Sequence, residues 1–440
     1  MALLTKAPRG TQDVLPQDSY SLRKLEDILS DTASHFGFRE IRTPVFEHTE
    51  LFMRGVGDTT DVVQKEMYTF NDNGNRSISL RPEGTAGTVR AFLEHGLFNE
   101  PLPQKMFYLT SCYRYEKPQA GRLREFHQFG VENLGAASPQ ADAEIIALGR
   151  QIFDFFELSD ISLEINSIGC PKCRKNYHAA LLSYFKEKSG ELCETCLSRL
   201  ERNPMRILDC KSPVCSAIAK DAPVVLDFLC EECDTHFKSV QKCLDTMDIP
   251  YTVNPRIVRG LDYYTKTVFE FVSNSIGAQG TVCGGGRYDG LVEQLGGNAL
   301  PACGFGMGIE RLLMLLASQG KELPKEERPL IYIAPMSEEC SFTAMKIVND
   351  LRYDGITALT DLSSRSLKAQ MKYANKLGVL YTAVLGEDEI TGGKVNVKNM
   401  DSGTVTVLSV ENFTEEFSQL SLHDSFSGLS FDSFDGKLSF

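Results

Sequence analysis

No stretch of the 440-residue chain is apolar over the ~20 residues that a bilayer-spanning helix needs, so no membrane segment is expected. The opening MALLTKAPRGTQDVLP has an apolar run too short for a secretory h-region and soon reaches Arg9, Asp13 and Pro16, which points to a cytoplasmic location. Positive charge is also scarce: 46 Lys and Arg stand against 59 Asp and Glu, a net charge of −13 at pH 7. That balance gives no support to non-specific binding of nucleic acid or of an anionic membrane, so any nucleic-acid contact must come from local basic patches. The common phosphate loops are missing too. There is no GxxxxGK followed by Ser or Thr, and the glycines of CGGGRYDG and GFGMGIE form no GxGxxG at the close of a strand. A nucleotide, if one binds, is held by arginines and a sheet. His35, His48, His95, His127, His178, His236 and His423 form no HExxH or evenly spaced ligand set. Without a GxSxG, a Cys/His pair or a repeated acidic box, covalent acyl and protease chemistry are disfavoured.

Cysteine, by contrast, is concentrated. Thirteen is an odd number in a chain with no export signal, so reduced thiols are expected rather than a disulfide framework. Cys170, Cys173, Cys193, Cys196, Cys210, Cys215, Cys230 and Cys233 place eight of the thirteen between positions 170 and 233. Thiolates are soft ligands and a CxxC supplies two from one turn, so three CxxC pairs and one CxxxxC suffice for two Cys₄ zinc sites. Buried reduced thiols are the alternative, and the spacing leaves open which pairs would join.

The segment SYSLRKLEDILSDTASHF has Leu22, Leu25, Ile28, Leu29 and Ala33 at helical spacing, and FGFREIRTPVFE turns at Gly37 into a short edge strand ended near Pro44. Together they suit a dimer-forming element or an ordinary surface helix. EMYTF and RSISLRP flank the turn NDNGN as a hairpin, and MFYLTSCYRY and REFHQFGVE read as a strand pair joined by the charged loop EKPQAGRL. With KTVFEFVS, GTVCGGGRYDG and GFGMGIERLLMLL further on, the pattern predicts a mostly antiparallel sheet with helices interspersed. SQGKELPKEERP, at 318–329, reads as a linker. Beyond it LIYIAP, ITALT, the helix RSLKAQMKYANKLG and VLYTAVLG alternate as a compact α/β module of about 90 to 100 residues. The closing SLHDSFSGLSFDSFDGKLSF is expected to be a disordered tail.

Arginines carry the first hint of chemistry, because the guanidinium is permanently charged and its planar fork matches phosphate or carboxylate oxygens. Arg114, Lys117, Arg122 and Arg124 cluster with Glu116 as the one acid among them, which suits an anion site or a solvated strand turn. Arg259 precedes Gly260 and two tyrosines, and Arg311 follows GFGMGIE, whose glycines allow a flat ligand to approach the backbone. A polyphosphate would use all three segments. Glu83, beside Gly84 and Thr85 in RPEGTAG, offers an anion and a hydroxyl suited to an ammonium group. Gln128 and Glu132, four apart, share one face if HQFGVE is a strand, as pocket residues or as a cross-strand polar pair. Tyr263 and Tyr264, adjacent, would point to opposite faces if extended. His127 suits packing or a supporting hydrogen bond better than acid–base work.

Taken in order, these stretches resemble those of the bacterial histidyl-tRNA synthetases, class II aminoacyl-tRNA synthetases. RGLDYYT is similar to the histidine signature, RPEGTAG to the substrate loop, YRYEKPQAGRLREFHQFGVE to the second class II motif, GFGMGIERL to the third, and FGFREIRTPVFE to the first. The resemblance spans nearly all of positions 5–420. It implies an α+β fold: a class II antiparallel sheet flanked by helices at 1–325, carrying a cysteine-rich helical insertion at 168–240, then an α/β anticodon-binding domain at 326–420 and a tail at 421–440. It implies ATP-dependent attachment of L-histidine to tRNA(His) through a histidyl-adenylate, with release of pyrophosphate and AMP. By resemblance, Glu83 and Thr85, with Gly84 between them in the substrate site, hold the amino acid's amino group, Gln128 assists and also approaches its carboxylate, and Glu132 and Tyr264 read the imidazole beside Tyr263 and Tyr288. Arg114 holds the α-phosphate, Arg122 and Arg311 the β and γ phosphates, and Arg259 both the histidine carboxylate and the α-phosphate, with Arg259, Arg114 and Gln128 as the catalytic set. Mg²⁺ accompanies ATP. Lys117, Gln119, Arg122 and Arg124 would face the acceptor end of tRNA. Arg365, Lys368, Lys372 and Lys376 form a basic stripe that suits the anticodon loop, or equally a solvated face. A homodimer through the first motif is implied, with no membrane partner. The rival reading is the synthetase-like regulatory subunit of ATP phosphoribosyltransferase, which usually lacks the anticodon domain and an intact catalytic set.

Overall fold

The computed structural model describes residues 5–57, 60, 62–119, 121–201, 203–208, 210, 212–257, 261–276 and 280–427. The chain divides by its contacts into a unit ending at Lys325 and a second beginning at Glu326. Among the described residues no helix is long and apolar enough to cross a membrane.

The first unit holds strands β1 (Arg39–Glu40), β2 (Phe46–His48), β3 (Thr69–Asn71), β4 (Ser77–Leu80), β5 (Gln104–Tyr113), β6 (Glu125–Leu134), β7 (Ser162–Ser167), β8 (Thr252–Val253), β9 (Thr265–Val272), β10 (Thr281–Arg287) and β11 (Ala302–Gly308). Eight of them form one sheet in the order β1-β5-β6-β11-β10-β9-β7-β8, while β2-β4-β3 makes a small separate sheet. Every neighbouring pair from β5 to β7 is antiparallel, and only the short edge strands β1 and β8 pair in parallel. The expected antiparallel architecture is therefore observed. The edge position expected for the strand after Gly37 is found too, although only two residues pair.

The side-chain period of two assigns each face of this sheet a task. Phe107 on β5, Phe129 and Val131 on β6, Phe269 and Phe271 on β9, and Cys303, Phe305 and Met307 on β11 enter one large core. Leu25, Leu29 and Ala33 of helix Pro16–His35, Ile145, Ile146 and Leu148 of helix Pro139–Phe155, and Leu312, Leu315 and Leu316 of helix Ile309–Ser318 cover that core. The first of these helices begins at proline, whose fixed φ suits the first turn, and the chain reverses past its end at Gly37 with φ +79°. Intervening residues emerge on the opposite face: Met106 and Tyr108, then Gln128, Gly130 and Glu132, then Gly304 and Gly306. There helix Thr85–Glu94 contributes Val89 and Phe92 to a second cluster with Tyr263, Tyr264 and Tyr288. This second face carries the site.

Between β7 and β8 the chain makes helices Pro171–Glu187, Glu194–Arg199, Pro213–Lys220 and Glu231–Thr246. Tyr177, Leu181, Phe185, Cys196, Ile207 and Cys215 form a small core within that insertion.

The second unit is a five-stranded mixed sheet, in the order β13-β12-β14-β15-β16, built from β12 (Ile331–Pro335), β13 (Ala358–Thr360), β14 (Tyr381–Leu385), β15 (Lys394–Asn399) and β16 (Val405–Ser409). The β15–β16 hairpin is an element that the sequence reading missed. The expected tail from 421 also needs correction: helix Phe413–Ser427 runs through its first seven positions, and Asp424 accepts hydrogen bonds from Tyr381 and Asn399. Positions 428–440 lie outside the described residues.

Candidate active site

Glu132 is the floor of the site. It is 1% exposed, and its Oε1 accepts from Thr85 Oγ1 at 2.7 Å and from Tyr108 Oη at 3.1 Å, while Oε2 accepts from the Tyr288 phenol. Burial outweighs these donors and pushes its carboxyl up to about 8. Glu83 lies at the amino end of helix Thr85–Glu94. Its oxygens accept from the backbone N–H of Thr85 at 2.6 Å and of Ala86 at 3.0 Å, capping two of the helix's open donors. Burial raises the Glu83 carboxyl, and those amides with the charge of Arg114 oppose the rise.

Room for these polar groups comes from glycine. A Cβ at Gly304 would stand 2.1 Å from Glu132 Oε2, and one at Gly306 would stand 1.8 Å from Gln128 Nε2. The sequence reading assigned these glycines to the approach of a ligand; they first make space for two side chains that lie across β11. Tyr108, missed in the sequence, is held the same way, since a Cβ at Gly84 or Gly130 would strike its ring at 2.3 and 2.2 Å. Its only signal was a phenol midway along a strand whose facing positions are glycine.

Tyr263 and Tyr264 depart from expectation. The chain turns there instead of running extended, and their rings pack against each other tilted by 48° with centroids 4.7 Å apart, both buried, with Tyr263 edge-on to Tyr288 at 5.5 Å. Both phenols therefore belong to one wall. Gln128 accepts from Cys112 Sγ at 3.4 Å.

Next to Glu83 the guanidinium groups gather. Arg114 donates from Nε to the carbonyl of Pro82 at 2.8 Å and lies over the Phe126 ring. Glu116 pairs with Arg122 and stands 4.0 Å from Arg114. Arg311 donates to the carbonyls of Gly121 and Thr281, and burial first, then the nearby charges of Arg122 and Arg114, pull its pKa down. Three arginines from two segments, the β5–β6 connection and helix Ile309–Ser318, thus share one region that would favour an incoming polyanion. Arg259 and Gly260 lie outside the described residues.

His127 pairs with Glu310 at 2.8 Å, and that hydrogen bond raises its pKa, in keeping with a supporting role. In the second-motif loop Lys117 and Gln119 are exposed, whereas Arg124 stacks on Tyr115 at 3.8 Å and donates to the Glu116 carbonyl. The basic stripe of the second unit needs correction at one end. Helix Leu367–Leu377 begins after Arg365, which pairs with Asp361 at 2.7 Å and lies over Tyr373, so the helical face carries Lys368, Lys372 and Lys376, all exposed.

The cysteine pairs join in nested fashion. Cys170, Cys173, Cys230 and Cys233 form one group and Cys193, Cys196, Cys210 and Cys215 the other, each with its four sulfurs within 4.8 Å of one another. None is in a disulfide. Among the described residues, no other set of three or more His, Cys, Asp or Glu ligand atoms comes together in this way.

A family model described as histidyl-tRNA synthetase matches residues 10–312, and one described as an anticodon binding domain matches residues 330–420. The chain is 54% identical over 409 residues to the histidine--tRNA ligase of Caldanaerobacter subterraneus subsp. tengcongensis, covering 93% of this chain and 98% of that protein. Among solved structures it is similar to the apo histidyl-tRNA synthetase of S. aureus, at 41% identity and a TM-score of 0.80, over 94% of this chain and 100% of the other. A chain from Bacillus halodurans, described as an ATP phosphoribosyltransferase regulatory subunit/histidyl-tRNA synthetase, shares the fold at 23% identity and a TM-score of 0.61, over 85% of this chain and 97% of its own.

Proposed function

The chain belongs to the histidyl-tRNA synthetase family, a ligase family that attaches histidine to tRNA with ATP, and from that premise we infer the work of its own residues. The observation that carries the reading is a buried glutamate, Glu132, fed by three hydroxyl donors on a sheet face beside which Arg114, Arg122 and Arg311 gather.

Glu132 and Tyr264 read the two imidazole nitrogens, with Tyr263 and Tyr288 as walls. Glu83, Thr85 and Gln128 take the amino group, with Gly84 leaving the space that Tyr108 fills. An asparagine or glutamine substrate leaves Glu132 or Tyr264 badly matched, at about 1 to 3 kcal/mol per unmade buried bond. ATP enters as its magnesium complex, with Arg114 at the α-phosphate and Arg122 and Arg311 at the β and γ phosphates. The histidine carboxylate then attacks the α-phosphorus and the bond to pyrophosphate breaks. Two anions must meet in that step, so fixed cations offset their repulsion and stabilise charge on the equatorial oxygens. Arg259 is assigned to the meeting point by its place in the signature. No protein base is required, because the nucleophile is already a carboxylate; orientation carries the rate. In the second step the terminal adenosine hydroxyl of tRNA attacks the adenylate carbonyl, its proton passes to a phosphate oxygen, and AMP leaves.

Lys117, Gln119, Arg122 and Arg124 face the acceptor end of tRNA(His), and Lys368, Lys372 and Lys376, with Arg365 beside them, face the anticodon loop. Two copies pair through helix Pro16–His35 and the strand after it, and the work takes place in the cytoplasm. Each Cys₄ group holds one structural Zn²⁺.

The test is histidine-dependent exchange of labelled pyrophosphate into ATP, followed by tRNA charging. Arg259→Ala is expected to lower exchange by about 10³-fold while ATP affinity changes by less than about tenfold. Equal losses in both would remove Arg259 from the reacting centre, and exchange without added histidine would reject the reading as a whole.

A further inference from the structure

The sulfur geometry is that of a metal site. Four sulfurs held about 2.3 Å from a tetrahedral ion stand about 3.8 Å apart. Cys170 Sγ lies 3.6 Å from Cys173 Sγ and 4.0 Å from Cys230 Sγ, and Cys193 Sγ lies 3.8 Å from Cys210 Sγ. Each group also receives a backbone donor of the kind that supports thiolate ligands: Cys230 N–H to Cys173 Sγ at 3.0 Å, and Cys193 N–H to Cys215 Sγ at 3.3 Å. Cys170, Cys193 and Cys230 each stand immediately before a helix, so the second cysteine of each CxxC falls in its first turn.

Each group also lies close in sequence to an arginine that leaves the insertion. Arg174, next to Cys173, donates from Nη1 to the carbonyl of Tyr264 at 3.2 Å. Arg206, between Cys196 and Cys210, donates from Nη2 to Asp262 Oδ1 at 3.3 Å. Both targets lie in the short turn 261–265 that sets the two phenols of the histidine wall. A backbone clasp closes the same region: Lys266 N–H donates to the Gly169 carbonyl at 3.0 Å, and Ile168 N–H to the Lys266 carbonyl at 2.8 Å. The insertion therefore holds the recognition turn at two side-chain points and one backbone point.

We propose that Arg174 and Arg206 are positioning residues for histidine, and that a zinc ion in each Cys₄ group fixes the arginine beside it, making affinity for histidine depend on metal occupancy. The ion at Cys170, Cys173, Cys230 and Cys233 locks the helix that presents Arg174. The ion at Cys193, Cys196, Cys210 and Cys215 locks the segment that presents Arg206. ATP, held chiefly by Arg114, Arg122 and Arg311 on other segments, is spared. This inference rests on the zinc reading given above and extends it to the substrate pocket.

Two measurements on the full-length chain separate the layers. Elemental analysis after mild chelator washing is expected to find two zinc per chain; less than about 0.2 would reject the zinc sites and this inference with them. With zinc bound, Arg174→Gln and Arg206→Gln leave all eight sulfurs in place. Each is expected to retain two zinc and to raise the dissociation constant for L-histidine about tenfold in calorimetry, with that for ATP moving less than about twofold. Zinc retained with histidine affinity unmoved in both variants overturns the positioning role and leaves the zinc reading intact. Should either variant fold poorly, the unsubstituted chain decides: stripping zinc must weaken histidine binding more than ATP binding, and adding zinc back must restore it. Parallel loss of both ligands, or no loss, overturns the proposal.

Discussion

Glu132 joins two properties that pull against each other: it is buried, and it is the acceptor of three hydroxyl groups. Its carboxyl titrates near 4.5 in the unfolded chain and about 8 in the folded one, because burial outweighs its donors. Between those values the folded chain holds a proton that the unfolded chain has released. The stability from this group is therefore complete below about pH 4.5 and is lost as pH rises towards 8. Glu132→Gln is expected to flatten the fall of Tm between pH 5 and pH 8 in calorimetric scans; parallel profiles would contradict the assignment. The same variant should lower kcat/KM for histidine about 10²-fold in pyrophosphate exchange, since the amide NH₂ cannot accept from the hydroxyl donors that orient the carboxylate. Much of this site was legible from residue type alone. Glu83, Thr85, Gln128 and Glu132 stood out as polar groups at glycine-rich or alternating positions, and the structure brings them together. Tyr108 did not stand out, because a phenol on an alternating strand looks like a core residue until its glycine neighbours are known.

At the level of elements, β11 shows why three alternate glycines serve a strand that otherwise gains nothing from them. Cys303, Phe305 and Met307 fill the core on one face, and the bare opposite face leaves room for Glu132 and Gln128. A Cβ at Gly306 would fall inside the Gln128 amide, so Gly306→Ala must swing that side chain away. The expected result is a loss of exchange of about 10²-fold with Tm lowered by only a few degrees. Exchange within about threefold of the parent would show that the cleared face is dispensable. Long strands such as β5 and β6 were readable because ten residues of alternation leave little choice of register. The turn at 261–265 was not, since its conformation is set by contacts with the insertion and with Tyr288, none of them local in sequence. The β15–β16 hairpin escaped for a plainer reason: the βα alternation before it suggested that the same rhythm would continue.

For the molecule as a whole, a net charge of −13 must be reconciled with a polyanionic partner. Local placement of a few cations is the proposed answer. Lys368, Lys372 and Lys376 stand exposed along one helix whose other side is anchored by Ala374 among buried residues. Replacing the three with Ala is expected to leave pyrophosphate exchange unchanged while reducing the salt slope of tRNA charging by roughly 2. An unchanged slope would return these lysines to the role of a solvated face. The helix Phe413–Ser427, tied through Asp424 to Tyr381 and Asn399, belongs to the folded part of the second unit, so removing it should destabilise that unit more than loss of a loose tail would.

Cys170 and Cys230 are 60 positions apart in sequence, yet their sulfurs are 4.0 Å apart. An excursion pinned at its own neck can change length at its far end while β7 and β9 keep their register, provided that Arg206 still reaches Asp262.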